Sequence, residues 1–440
     1  MKVIRFVLFE ILISVLLVFA GCNHRQVPLE LSKAQELFTS VDSLCREDNG
    51  KLWGKSLYGP IMLVNPQNRK IVANLPDREG KLTMVNGVFT GQLPEEMNIA
   101  NTATSWGGVN WAMVSWDALQ NEQKNANQRL LIHESWHREQ ETLGVEAVMS
   151  KNLHLDEEQG VILMKLELVA LKNALHFDGN FSTDIKNALF IRKYRQFCFP
   201  ENNEDMFERH EGMAEYTGLK LCGTDSLMIA DELISNIDVA IKKEGYSNSF
   251  AYFTGPAYGF IFDKVFPNWL TQVKGGKSLT EIAEKVFNVE FQEVDSLLLL
   301  EQFNSIVKYY NAEKLIISVK EAAERNRQLA KHYEQKMFGR YQLVIPNQNV
   351  QFSFNPQEKL IPIRNGVVYK TLRISAEWGT LEASDGVYRA NDWSFFLVSA
   401  PEIFKPINGD EFEWDSYKLT LHQNYTIVEL EQGKFGISKR

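Results

Sequence analysis

The sequence predicts an α+β protein built from a small β-sheet, a long helical region and a C-terminal β-sandwich. Three observations carry this reading. Apolar residues cluster in short β-type runs between residues 51 and 116, recur with helical spacing between 117 and 337, and return to short runs from 338 to 440. Size and composition agree: 440 residues exceed one ordinary domain, and 44% hydrophobic with 23% charged residues is the content of a folded chain.

The chain opens with Met1-Lys2-Val3-Ile4-Arg5 and an apolar run from Phe6 to Phe19 broken by Glu10 and Ser14, followed by Ala20-Gly21-Cys22. This is the pattern of a secretory signal peptide over residues 1–22. A spanning helix needs about 20 apolar residues, more than this run offers. Phe19-Ala20-Gly21-Cys22 resembles the lipobox of bacterial lipoproteins, with Phe19 where that family prefers Leu. The resemblance implies cleavage before Cys22, lipid on Cys22, and a membrane anchor in the bacterial cell envelope. Asn23 is not the Asp that retains many such lipoproteins at the inner membrane, so the resemblance favours the outer one, facing periplasm or exterior.

Residues 23–50 form a tether and a helix, marked by Leu31, Ala34, Leu37, Phe38, Val41 and Leu44 within 29–44. Loss of Lys2, Arg5 and Glu10 with the signal takes the net charge from −9 to −10, an acidic balance that argues against nucleic acid as a partner. With Cys22 lipidated, Cys45, Cys198 and Cys222 remain, and three cannot all pair within the chain. Cys198 and Cys222 flank one helical segment; a disulfide and two buried thiols are both open.

In residues 51–116, strands are expected at Ile61–Val64, Lys70–Ala73 and Val109–Trp116, with turns at Asn65-Pro66, Asp77 and Asn86-Gly87. Helices are expected near 124–143, 156–177, 183–197, 204–220, 225–244, 256–266, 279–287 and 312–337. Beyond Phe338-Gly339, turns at Asn365-Gly366, Asp385-Gly386 and Asn408-Gly409 separate strands at Val367–Ile374, Trp393–Val398, Lys418–His422 and Thr426–Leu430. That spacing suits a β-sandwich serving as scaffold, partner-binding surface or shield.

The run with the clearest chemistry is His133-Glu134-Ser135-Trp136-His137, inside a predicted helix. Residues four apart share a helix face, so both imidazoles can converge on one cation while Glu134 reaches a water bound to it. Zinc held this way lowers the water's pKa to about 7, and the carboxylate can then take its proton as it attacks a carbonyl. A third protein ligand is required. The metzincin extension is excluded, because Gln140 and Leu143 stand where it places Gly and His; Gly144 instead suits the end of the helix.

Further along stands His210-Glu211-Gly212-Met213-Ala214-Glu215 on another helical segment. Here the sequence resembles the gluzincins: Glu211-Gly212-Met213-Ala214 is similar to the NEGFA segment of the aminopeptidase N family, with His210 for its Asn and Met213 for its Phe. The resemblance implies a zincin-like catalytic domain, made of the small sheet and the helical region, and a zinc ion held by His133, His137 and Glu211. It also makes Glu215 the acidic residue that steadies a zinc-bound histidine through its second ring nitrogen. One departure is that Glu211 lies 74 positions after His137, where the family has about a quarter of that separation. Glu157, Glu158 and Glu167 in the intervening stretch are rival ligands, and His154, His176 and His210 weaker ones.

Tyr252-Phe253-Thr254-Gly255 resembles the family's YEKG segment, with Thr254 for its Lys. The resemblance implies that Tyr252 donates a hydrogen bond to the oxyanion, with Tyr258 as the alternative. Val109–Trp116 sits where gluzincins place the edge strand that pairs with extended substrate, but the glutamate that grips a free amine is missing. The implied activity is a zinc-dependent hydrolysis of a peptide or protein substrate with Glu134 as base, leaning towards endopeptidase action. Two alternatives stand beside it: an inactive binding lipoprotein, with Trp378, Tyr388 and Trp393 as glycan-stacking aromatics, and a zinc hydrolase of non-peptide substrates.

Overall fold

The computed structural model describes residues 31–95, 97–119, 125–146, 152–223, 225–289, 296–354 and 358–440. The signal segment and Cys22 lie outside the described residues. The architecture is mixed α+β, with a sheet and a helical region followed by a C-terminal β region.

Helix α1 (Leu31–Asp48) buries Ala34, Leu37, Phe38, Val41 and Cys45, the stripe that its spacing predicts. Among the described residues six strands follow: β1 (Ile61–Val64), β2 (Lys70–Ala73), β3 (Thr83–Val85), β4 (Val88–Gln92), β5 (Thr102–Trp106) and β6 (Val109–Ser115). They form one sheet in the order β3-β4-β2-β1-β6-β5, antiparallel except for the β1–β6 pair. Asn86 and Gly87, both at positive φ, make the tight β3–β4 turn. The strand expected at the edge, β6, is internal. Edge position falls to β5, because the hairpin through Gly107-Gly108 adds one more strand outside it.

A 3-10 turn (Trp116–Leu119) leads towards α2 (Ala126–Glu139). Helix α2 ends before Gly144; a further turn over 140–144 carries the chain to that left-handed glycine. Next come α3 (Glu158–Ala174), α4 (Phe181–Cys198), α5 (Glu204–Phe207), α6 (Met213–Cys222), α7 (Ser226–Ala240), α8 (Ala251–Val265), α9 (Trp269–Lys274), α10 (Leu279–Phe287), α11 (Ser296–Tyr309) and α12 (Glu313–Met337).

Three outcomes differ from the periodicity. The helix expected over 204–220 is interrupted by a π turn, Glu208–Gly212, between α5 and α6. Helix α8 starts five residues before Pro256, which sits inside it rather than opening it. Helices α9 and α11 were not expected. In α11 the four-leucine run buries Leu299 and exposes Leu297, Leu298 and Leu300, so it lacks a clean apolar stripe.

Among the described residues the C-terminal region holds thirteen strands: β7 (Gln342–Pro346), β8 (Gln351–Phe354), β9 (Ile361–Ile363), β10 (Gly366–Tyr369), β11 (Leu372–Ala376), β12 (Gly379–Ala383), β13 (Val387–Ala390), β14 (Phe395–Ser399), β15 (Pro406–Asn408), β16 (Glu411–Trp414), β17 (Tyr417–Leu421), β18 (Tyr425–Glu431) and β19 (Lys434–Lys439). They make sheets of order β18-β19-β7-β14-β13-β10-β9 and β15-β16-β17-β12-β11-β8. Leu343, Ile345, Phe396 and Val398 of the first meet Ile374, Leu381 and Leu419 of the second in one core. The strand expected over 367–374 is two strands, β10 and β11, one in each sheet. Helix α12 joins the regions, packing Tyr333 and Met337 against Ile361, Val368 and Tyr388. No helix among the described residues is long and apolar enough to cross a membrane.

Candidate metal centre

Helix α2 brings His133 and Glu134 to the interior, where each is nearly buried. It packs closely on α6, because Gly218 of α6 sits against the Arg129 backbone: a Cβ there would lie 2.8 Å from the Arg129 carbonyl oxygen. Helix α8 approaches the π turn just as tightly. A Cβ on Gly255 would stand 2.5 Å from the Gly212 Cα, which gives the glycines of the Glu211-Gly212 and Tyr252–Gly255 segments one shared reason.

This packing brings together four residues singled out from the sequence. His133 Nε2 and His137 Nε2 are 3.1 Å apart, and Glu211 Oε2 lies 3.4 Å and 3.6 Å from them. Ligands held at 2.0–2.1 Å around a tetrahedral ion stand about 3.3 Å from one another, so the three atoms fit three corners of a zinc site. The donor set suits the same ion, being two imidazoles and one carboxylate. Glu134 Oε2 is buried and has no hydrogen-bond partner among the described residues.

The surrounding shell is also built. Glu215 Oε2 lies 3.2 Å from His133 Nδ1, and its other oxygen pairs with Arg129 at 2.6 Å. His137 Nδ1 lies 3.0 Å from Gln140 Oε1, which His210 Nδ1 also approaches at 2.9 Å. Tyr252 donates its hydroxyl to Glu211 Oε2 at 2.6 Å, and its ring stacks on His133 with centroids 5.8 Å apart. Tyr252 therefore reaches the centre, with its O–H committed to the carboxylate in this state.

The electrostatics are those of a site that attracts a cation. Burial disfavours charge on His133, but hydrogen bonds with Glu211 and Glu215 outweigh it and raise its pKa to about 10. Burial pushes the Glu134 carboxyl up, with His133 and His137 opposing. Against burial, the neighbouring His133 and His137 and the hydroxyl of Tyr252 hold Glu211 far below the usual carboxylate range. Burial, then the neighbouring His137, lowers His210 to about 4.

The rival residues lie elsewhere. Glu167 is fully buried against Arg192 and Arg195, Glu158 pairs with Arg327, and Glu157 is exposed at the start of α3. His154 pairs with Glu204 at 2.7 Å, and His176 is exposed. His210 stays beside the centre without joining the three converging atoms. Tyr258 donates to Glu167 at 3.1 Å, so it is not an alternative to Tyr252. Cys45, Cys198 and Cys222 are free thiols, so the Cys198–Cys222 disulfide is not formed. The three aromatics weighed for glycan stacking are dispersed in role: Trp378 and Tyr388 pack into separate cores, and one face of Trp393 is covered by Arg389 at 3.8 Å.

Sequence reasoning missed Arg129, although it precedes His133 by one helical turn, and read Gln140 only as a residue that excludes another family. It also missed the π turn, for which Glu208–Gly212 carries no local signature. Comparison with protein-family models, curated proteins and solved structures gives no match for this chain.

Proposed function

We propose that this chain is a zinc-dependent hydrolase, a peptidase of the gluzincin kind, carried on a lipoprotein anchored in the bacterial cell envelope through Cys22. The observation that carries the reading is the convergence of His133 Nε2, His137 Nε2 and Glu211 Oε2 beside the unpartnered Glu134 Oε2. Zinc in this site would supply Lewis-acid polarisation of a substrate carbonyl and of the attacking water.

The chain's own residues divide the remaining work. Glu134, raised by burial, takes the water's proton and later passes it to the leaving amine. Tyr252, already beside the metal-facing oxygen of Glu211, turns its O–H to the oxyanion as it forms. Glu215, backed by Arg129, holds the His133 ring in place. The free edge of β5, in contact with α2, pairs with an extended peptide by backbone hydrogen bonds. The net charge of −9 argues against nucleic acid as a partner.

Elemental analysis of the chain tests the reading. One zinc per chain is expected, lost in Glu211→Ala and retained in Glu157→Ala. Folded wild-type protein that takes up no zinc when it is supplied would remove the metal centre from this account.

A further inference from the structure

The two ligand histidines are oriented by different devices. His133 faces the carboxylate of Glu215, whereas His137 faces the neutral amide of Gln140. Gln140 lies one residue past α2, is 2% exposed, and is pinned by its backbone, whose carbonyl accepts from the amides of Leu143 and Val145.

An amide oxygen offers two lone pairs, and both are taken here, by His137 Nδ1 and His210 Nδ1. The amide NH2 donates to the Glu146 carbonyl at 3.1 Å, which fixes the end of the side chain that is oxygen. That oxygen cannot donate, so both Nδ1 atoms carry the hydrogen. The His137 lone pair is thereby left on Nε2, the atom that converges with His133 and Glu211. The His210 ring is held beside that of His137, with centroids 4.6 Å apart and its Nε2 3.4 Å from the second Glu211 oxygen.

We propose that Gln140 is a positioning residue of the metal centre, one buried amide that sets the tautomer of His137 and is itself held in place by a second donor, His210 Nδ1. The inference rests on the metal-centre reading above. Loss of an outer partner of this kind lowers metal affinity by about 10–100-fold in proteins generally.

The test is the zinc dissociation constant of the full chain, measured by chelator competition for wild type, Gln140→Leu, Gln140→Glu and His210→Ala. Gln140→Leu is expected to weaken zinc by about 10-fold or more, while Gln140→Glu, which keeps an acceptor in place, stays within about 5-fold of wild type. The visible spectrum of the cobalt-substituted chain is expected to shift in Gln140→Leu and not in Gln140→Glu. His210→Ala removes one donor without touching the amide and is expected to weaken zinc by at least about 3-fold; it carries the test if Gln140→Leu fails to fold. Zinc bound normally in both Gln140→Leu and His210→Ala, or bound as poorly in Gln140→Glu as in Gln140→Leu, overturns the assignment while the metal centre stands. A wild-type chain without zinc affinity overturns both.

Discussion

Two clusters of buried ionisable side chains lie along neighbouring helices of this protein, and they are wired in opposite ways. In the first, Arg192 and Arg195 of α4 meet Glu167, Glu204 and Glu208, and every carboxylate has a guanidinium partner between 2.5 and 2.8 Å. In the second, His133 Nε2, His137 Nε2 and Glu211 Oε2 converge on one another, and Glu134 keeps an oxygen without a hydrogen-bond partner among the described residues. Buried carboxylates held by guanidinium groups are scaffolding; two imidazole nitrogens and a carboxylate oxygen converging on one point are a place for a cation. The clusters are also connected. Glu208 opens the π turn that carries Glu211 three residues later, and Thr254 of α8 donates to Glu208 from the opposite side.

This contrast can be broken first at the centre. Glu134→Gln is expected to lower turnover of a cleaved peptide by about 10²-fold or more while zinc content stays at wild-type level. Undiminished turnover would place the base elsewhere. In the scaffold, Arg192→Leu leaves Glu208 buried without a guanidinium partner and Glu167 with Arg195 alone, and about 3–5 kcal/mol of unfolding free energy is expected to be lost. Chemical denaturation reads this directly, and an unchanged midpoint would mean that the cluster is not scaffolding.

The scaffold has a pH signature as well. Burial raises Glu204, but Arg195 and His154 together lower it from 4.5 to about 2. A depressed folded pKa means stability fully present above about pH 4.5 and lost as pH falls towards 2, a contribution of about 3 kcal/mol. Denaturation midpoints of metal-free protein between pH 6 and pH 3 should fall more steeply in wild type than in Glu204→Gln; equal slopes would refute the assignment. The smallest effect joins the clusters. Gly255→Ala forces a Cβ against the Gly212 backbone, and about 1–3 kcal/mol of destabilisation is expected together with weaker zinc binding, by displacement of Glu211. Stability lost with zinc affinity intact would show that the π turn holds its ligand without α8.

How far the sequence reached differs between particular residues. His133 and His137 were legible because a spacing of four on a helix is a local rule, and Glu211 and Glu215 through the resemblance of the Glu211–Ala214 run to a known ligand segment. Helix α10 was legible to the residue, since Ser278 and Glu281 form a capping box at its start. The division of 367–374 between two sheets was not, because both halves have the same strand-like texture and the crossing depends on which sheet each half pairs with.

By itself, then, the sequence determined the local pieces of this protein: the α+β order, the helix faces, and the donor types able to hold a metal. Only the tertiary structure decided which glutamate joins the histidines from 74 positions further along, that β5 rather than β6 is the free edge, and that Gln140 faces two imidazoles. The physical reason is that local propensity reports a residue's neighbours within a turn or a strand. Convergence of distant side chains depends on how closely helices can approach, and here that is set by Gly212, Gly218 and Gly255.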